Sequence, residues 1–265
     1  MIQHQFAERV AGIVGEDPSV VGLAAAGSWL SNELDEYSDL DLVLVTRNKA
    51  GGDKQRMMGY AEKFGKLLSA FTGEHVGEPR LLICLYDEPL LHVDIKFVTL
   101  EEFAFRVEEP VILYDAFGQL EQSLQVTEAA WPNPGYQWIE DRFWVWMHYG
   151  LTKVGRGEYF EAIDFLASIR NMVLGPLLLI SQGQLPRGVR KLEIHLPLNT
   201  LEQLKGTLAL HDRTSLLKAI HRCVEMYRDL RSNLFGSDIR LQTGTEKKVL
   251  EYYDEIAELP EKIIN

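Results

Sequence analysis

GSWLSNELDEYSDLDL, residues 27–42, is the stretch on which the reading of this chain turns. A run of small apolar residues, Ser19 to Ala26, leads into Gly27 and Ser28. Glycine there lets the backbone turn sharply and approach a ligand. The amides that open the next turn suit phosphate oxygens. At the far end, Asp39 to Val45 alternates strictly, the period of a strand with two unlike faces. Residues two apart on a strand share a face, so Asp39 and Asp41 point one way. Leu40, Leu42 and Leu44 point the other way, into a core. Two carboxylates side by side suit Mg²⁺ when it must also bind a substrate's phosphates. A third acid, Asp94, sits inside the apolar run LLHVDIKFV, residues 90–98. Burying it there is costly without a compensating charge, and a divalent metal supplies one.

Outward from this segment the first half alternates helix and strand patterns. Helical spacing covers 5–15 and a longer amphipathic stretch, 53–71, that opens on the N-cap candidate Asp53. Strand patterns cover 19–26, 39–45, 80–86, 90–98 and 111–114. Asp87, Glu88 and Pro89 form the turn of a hairpin, and TLEE at 99–102 reads as a capping box. WPNPG at 131–135 is dense in breakers and reads as a linker. Beyond it the patterns are helical, over 136–154, 158–182, 199–211, 213–235 and 245–258. Leu216, Ile220, Cys223, Tyr227, Leu230 and Leu234 make the stripe of a bundle helix. The expected architecture is α+β: residues 1–130 as a mixed sheet flanked by helices, residues 131–265 as an all-α bundle.

The order Gly-Ser, Asp-Leu-Asp-Leu, then a lone Asp on a later strand resembles the nucleotidyltransferase superfamily of DNA polymerase β-like enzymes. YSDLDL at 37–42 is similar to the branch that adenylylates antibiotics, the aminoglycoside and lincosamide nucleotidyltransferases. The likeness continues loosely into ILYDAFGQLE at 112–121 and RGEY at 156–159. It implies an N-terminal nucleotidyltransferase catalytic domain that moves a nucleoside monophosphate to a hydroxyl of a small molecule, releasing pyrophosphate. The donor it implies is ATP or another nucleoside triphosphate, with two Mg²⁺ ions. Asp39 and Asp41 would be metal ligands. Asp94 would be a metal ligand, the general base, or both, and Gly27 and Ser28 would hold the triphosphate. Ser31 and Asn32 stand where many relatives place a basic residue and a glycine. Positive charge must then come from elsewhere, and Lys153, Arg156, Arg187, Arg190 and Lys191 are the candidates. The loop of Lys191 resembles a phosphate-contacting loop, and Arg156 flanks the turn between the first two bundle helices.

Composition narrows the alternatives. The net charge is −12, and residues 1–130 carry all of it, with 22 acidic and 10 basic side chains. That balance argues against a nucleic-acid surface and suits metal ions or a cationic ligand. Glu33, Asp35, Glu36, Glu74, Glu78, Asp87 and Glu88 lie in loops at the strand ends, which favours an amine-bearing acceptor. The longest apolar run, Met172 to Ile180, falls short of the ~20 residues a bilayer span needs. No secretory signal is visible, so a cytoplasmic location is expected, with no membrane partner and with a homodimer as an open option. Cys84 and Cys223 read as buried thiols. No Walker loop, HExxH or metal-spaced histidine set occurs. The aromatic group Trp138, Phe143, Trp144, Trp146 and Tyr149 on one helix reads as core packing; the alternative is that one or two line an adenine or acceptor pocket between the domains. The other function classes are a non-catalytic nucleotide-binding or antitoxin-like partner and an enzyme that adenylylates a protein.

Overall fold

Strand β1 (Val20–Ala25) is buried along its whole length, as its unbroken small-apolar sequence requires. It pairs with β2 (Leu40–Thr46), whose alternating burial puts Leu40, Leu42 and Leu44 in the core. A computed structural model describes residues 1–30 and 34–259, which divide into two compact units, Met1–Pro132 and Asn133–Asn265.

In the first unit the remaining elements are α1 (Ile2–Gly15), α2 (Lys54–Phe64), β3 (Lys66–Gly73), β4 (Glu78–Asp87), β5 (Leu91–Val98), α3 (Leu100–Phe103), β6 (Val111–Asp115) and α4 (Gln119–Val126). The sheet runs β3-β4-β5-β2-β1-β6. Its strands pair antiparallel except β2 and β5, which are parallel, so the sheet is mixed. One face packs under α1 and α2, where Phe6, Val10, Met57 and Phe64 meet Leu42, Leu82, Val93 and Ile95. The other face is covered over part of its area, by Phe103 and Leu120 against Val21, Ala24, Val45 and Val98. Thr99 and Glu102 close the capping box at the start of α3.

The helix expected over 53–71 is shorter than its sequence pattern. Asp53 caps it by accepting from the Arg56 amide, but α2 ends at Phe64 and an extended Gly65 starts a strand. Phe64, Leu67, Leu68 and Phe71 keep helical spacing by coincidence. Pairing of β3 with β4 decides the outcome, because strand preference follows the partner more than the local residues. β3 is thus an edge strand that periodicity hid.

Among the described residues, the regular elements of the second unit are all helical. α5 (Tyr136–Arg156), α6 (Tyr159–Ile169), a π-helical turn (Arg170–Leu174), α7 (Gly175–Ser181), α8 (Leu192–His195), α9 (Leu198–Lys205), α10 (Arg213–Leu234) and α11 (Thr243–Glu258) follow in order. The stripe from Leu216 to Leu230 on α10 is buried, Cys223 included. The helix expected over 199–211 stops at Lys205, where Gly206 caps it. By length and composition alone, the continuous helical span Tyr159–Ser181 is long and apolar enough to cross a bilayer, which its interrupted apolar run does not suggest. Ala162, Leu166, Ile169, Val173, Leu174 and Leu177 from that span lie in the core of this unit. Phe143 and Trp144 are core as well, stacked on or edged against Tyr227. Trp146 and Tyr149 instead line a surface cavity of about 530 Å³ with Phe165 and Met172.

One acid is fully buried in this unit. Glu140 on α5 accepts from the Tyr227 hydroxyl, from Arg231 at 3.2 Å and from the Gln242 amide at 2.8 Å. Arg231 also reaches Glu246 at 2.9 Å, which Arg228 holds from its other side. Every oxygen of Glu140 has a donor, which is the condition for burying a carboxylate.

Candidate active site

Asp41 and Asp94 meet through the single parallel strand pair among the described residues. The register sets Leu40 against Val93, Asp41 against Asp94 and Val43 against Lys96. Alternation on both strands then brings the two carboxylates to one face, while Leu42 and Ile95 enter the helix-covered core. Both acids are half-buried. Asp39 precedes β2 on the same side and is near enough for its charge to act on Asp94.

Gly27 closes the site from the β1 side. Its φ is +62°, in the left-handed region, and a Cβ built there would lie 1.9 Å from Asp41 Oδ2. The Asp41 carboxylate therefore occupies the space a side chain would fill, and glycine meets two independent requirements at one position. The Ala26 amide donates to the Asp41 carbonyl at 3.0 Å, which fixes the turn to β2. Gly27–Trp29 form one short 3₁₀ turn, in which the Trp29 and Leu30 amides donate back to Ala26 and Gly27. The first amides of such a turn have no partner within it.

Burial pushes the Asp94 carboxyl above its usual range, and the charge of Asp39 adds to the effect. His92 opposes it: its Nε2 lies 2.9 Å from Asp94 Oδ1. Two residues on, Lys96 Nζ pairs with Glu78 at 2.9 Å. His92 and Lys96 were not singled out from the sequence. The signal for them was there, because period two puts residues 92, 94 and 96 on one face.

Gly27, Ser28, Asp39, Asp41 and Asp94 belong to the first unit. Arg156 and Lys191 belong to the second. Arg156 ends α5, exposed, with Glu158 at 3.9 Å. Lys191 precedes α8 in a left-handed conformation, φ +58°, uncommon for a side-chain-bearing residue and often found where a loop is held for a purpose. Lys153, the neighbouring candidate, is engaged by Glu158 at 2.8 Å and Glu161 at 3.0 Å. Ser31, Asn32 and Glu33 lie outside the described residues.

Among the described residues no three His, Cys, Asp or Glu side chains are gathered closely enough to hold a metal ion by themselves. The carboxylate oxygens that do come together are those of the register-paired Asp41 and Asp94, with Asp39 near them and the His92 imidazole on Asp94. That set suits Mg²⁺, which characteristically takes one or two carboxylates and completes its shell with water and substrate phosphates.

No family profile matches the sequence, and no curated protein matches it. Among solved structures, the chain is similar to the crystal structure of an aminoglycoside 6-adenyltransferase from Bacillus subtilis. The identity is 15% and the TM-score 0.42, over 97% of this chain and 99% of that one.

Proposed function

We propose that the chain is a nucleotidyltransferase that moves a nucleoside monophosphate, AMP from ATP, to a hydroxyl of a small molecule such as an antibiotic. The observation that carries this reading is the Asp41–Asp94 register pair with Gly27 folded under the Asp41 carboxylate. Asp39 and Asp41 would hold Mg²⁺, with Asp94 contributing from β5. When bound, the metal supplies charge neutralisation for the triphosphate and for the oxygen that attacks it.

The chain's own groups then divide the work. The Gly27–Ser28 turn presents its opening amides to the triphosphate, and lacks a side chain where the nucleotide must come close. Asp94 accepts the proton of the acceptor hydroxyl. Because His92 engages Oδ1, Oδ2 is the oxygen left to receive that proton. A carboxyl raised by burial is a stronger base than an exposed one, which favours the transfer. The acceptor oxygen forms a bond to the α-phosphorus as the bond to the β-phosphate oxygen breaks, and pyrophosphate leaves with its electron pair. Arg156 and Lys191 are the cations this reading assigns to phosphate.

The test is pyrophosphate release from ATP with Mg²⁺ and a panel of hydroxyl-bearing acceptors. Release that depends on Mg²⁺ and on acceptor, and that Asp41→Asn abolishes, is the expected result. Release that is unchanged in Asp41→Asn removes this site from the reaction.

A further inference from the structure

β4 carries LLICLY at residues 81–86, six consecutive apolar side chains. Continuous apolar strands belong in sheets covered on both faces. Here Leu82, Cys84 and Tyr86 are buried under α1 and α2, but Leu81, Ile83 and Leu85 face the other way, where the covering helices α3 and α4 do not reach. Leu85 is 38% exposed, and Phe71, opposite Ile83 on β3, is 50% exposed. The register aligns this apolar strip with the acids. Phe71 pairs with Ile83, Ile83 with Asp94, and Asp94 with Asp41, one row across four strands on one face. Strands lie about 4.8 Å apart, so the row places Ile83 beside Asp94 and Phe71 about 10 Å from it.

Several of the loop carboxylates that would attract a polycation are engaged within the chain. Glu78 is bridged by Arg80 at 2.7 Å and Lys96 at 2.9 Å, and these cations hold its carboxyl down at about 2. Lys66 binds Asp87 at 2.8 Å and Glu88 at 2.9 Å. Glu74 accepts from the Thr72 hydroxyl, and Asp35 from the Ser38 hydroxyl within its own loop. Glu78, Asp87 and Glu88, three of the seven loop acids, are thus paired with cations of the chain itself.

We infer that the Phe71–Ile83–Leu85 strip is the acceptor platform, and that the acceptor is an amphipathic molecule. Its hydroxyl meets Asp94 while an aromatic or alkyl body lies over β4 and β3. A polycationic aminosugar without such a body makes no use of the strip. The inference rests on the transferase reading for its reaction and on the strip alone for its binding, and the two separate in the test.

Nile red, a neutral apolar dye, probes the strip in the full chain without turnover. Its fluorescence enhancement should fall about tenfold in Phe71→Ser and in Ile83→Ser, since one lost apolar contact in a pocket is worth about that factor. Near-unchanged melting of the Phe71→Ser chain, whose side chain is half exposed already, separates this loss from unfolding. In the transfer assay phenyl β-glucoside should outperform methyl β-glucoside and the polyamine neamine. Phe71→Ser should raise the KM for phenyl β-glucoside about tenfold and leave the KM for ATP unchanged. Equal dye binding in both variants overturns the inference. So does a preference for neamine that weakens as salt rises. A dimer in sedimentation that Phe71→Ser dissociates also overturns it, by making a second copy the occupant. Dye binding that the variants lose, with no pyrophosphate released on any acceptor, keeps the apolar site and removes the transferase reading and the acceptor role together.

Discussion

Glu140 and the Asp41–Asp94 pair are carboxylates removed from water in two units of one chain, and they are treated in opposite ways. Around Glu140 the protein supplies a hydroxyl, an amide and a guanidinium, so the charge is complete without anything from outside. Around Asp94 it supplies one half-exposed histidine, and sets Asp41 opposite and Asp39 close by. The first arrangement spends its polar groups on holding helices α5, α10 and α11 together. The second leaves repulsion in place. A buried acid with all its donors is structural; acids set side by side on one sheet face are prepared for a cation that arrives with the substrate.

Breaking the complete arrangement should cost most in stability. Glu140→Ala leaves Arg231 and Tyr227 without their shared partner, and a loss of about 3–5 kcal/mol is expected for dismantling a buried ion pair from one side. Urea denaturation followed by helical circular dichroism measures it. If the change is under ~1 kcal/mol, the network is ornamental and the contrast collapses. Breaking the incomplete arrangement should cost activity instead. Asp41→Asn is expected to lower turnover by a factor on the order of 10³, with the melting temperature held or raised. Equal losses of fold and turnover would make Asp41 a structural acid like Glu140.

The next effect sharpens the comparison from the ligand side. Mg²⁺ with ATP, at about 100 times the dissociation constant, should add about 2.7 kcal/mol to the unfolding free energy of the wild type and little to Asp41→Asn. Equal stabilisation of both proteins places the nucleotide elsewhere. Acid should expose a third carboxylate, Glu78, which the Arg80 and Lys96 cations hold at about 2 when folded. Its folded value lies below its unfolded one. The stabilisation it brings is therefore full above the ordinary carboxylate range and is lost as pH falls from ~4.5 toward ~2. Glu78→Gln should lack that part of the acid transition, a difference on the order of 1–2 kcal/mol after allowance for its partial exposure. Smallest of all, Asp94→Asn without divalent metal should raise the melting temperature by a degree or two, as repulsion and desolvation are relieved. A fall instead would mean that the His92 contact outweighs both.

Sequence periodicity was a good guide where one face of an element is buried and the other wet. Asp41 and Leu42 could be assigned to opposite faces of β2 because alternation is strict there, and α10 was visible as a stripe for the same reason. It failed at β3, where Phe64, Leu67, Leu68 and Phe71 fall at helical spacing and only the partner strand makes the segment extended. It was silent on Glu140, which sits in the polar-looking EDR at 140–142. The groups that make its burial tolerable come from residues 87 and more positions away. The acids of the candidate site were legible as residue types in order. Their alignment was not, because the register of a parallel pair is written in neither strand alone.

That parallel pair has a consequence for how the protein comes into being. A hairpin such as β4–β5 closes over a short turn, but β2 and β5 run the same way and must be joined by everything between them, α2, β3 and β4 included. The Asp41–Asp94 contact is therefore among the long-range contacts of the sheet, and chain closure of that kind is slow compared with local pairing. On a ribosome the contact cannot form until β5 has emerged. Throughout that interval the mutually repelling carboxylates are kept apart by the order of synthesis itself. Only when the neighbouring apolar pairs, Leu42 with Ile95 and Leu44 with Phe97, draw the strands together are the acids brought face to face.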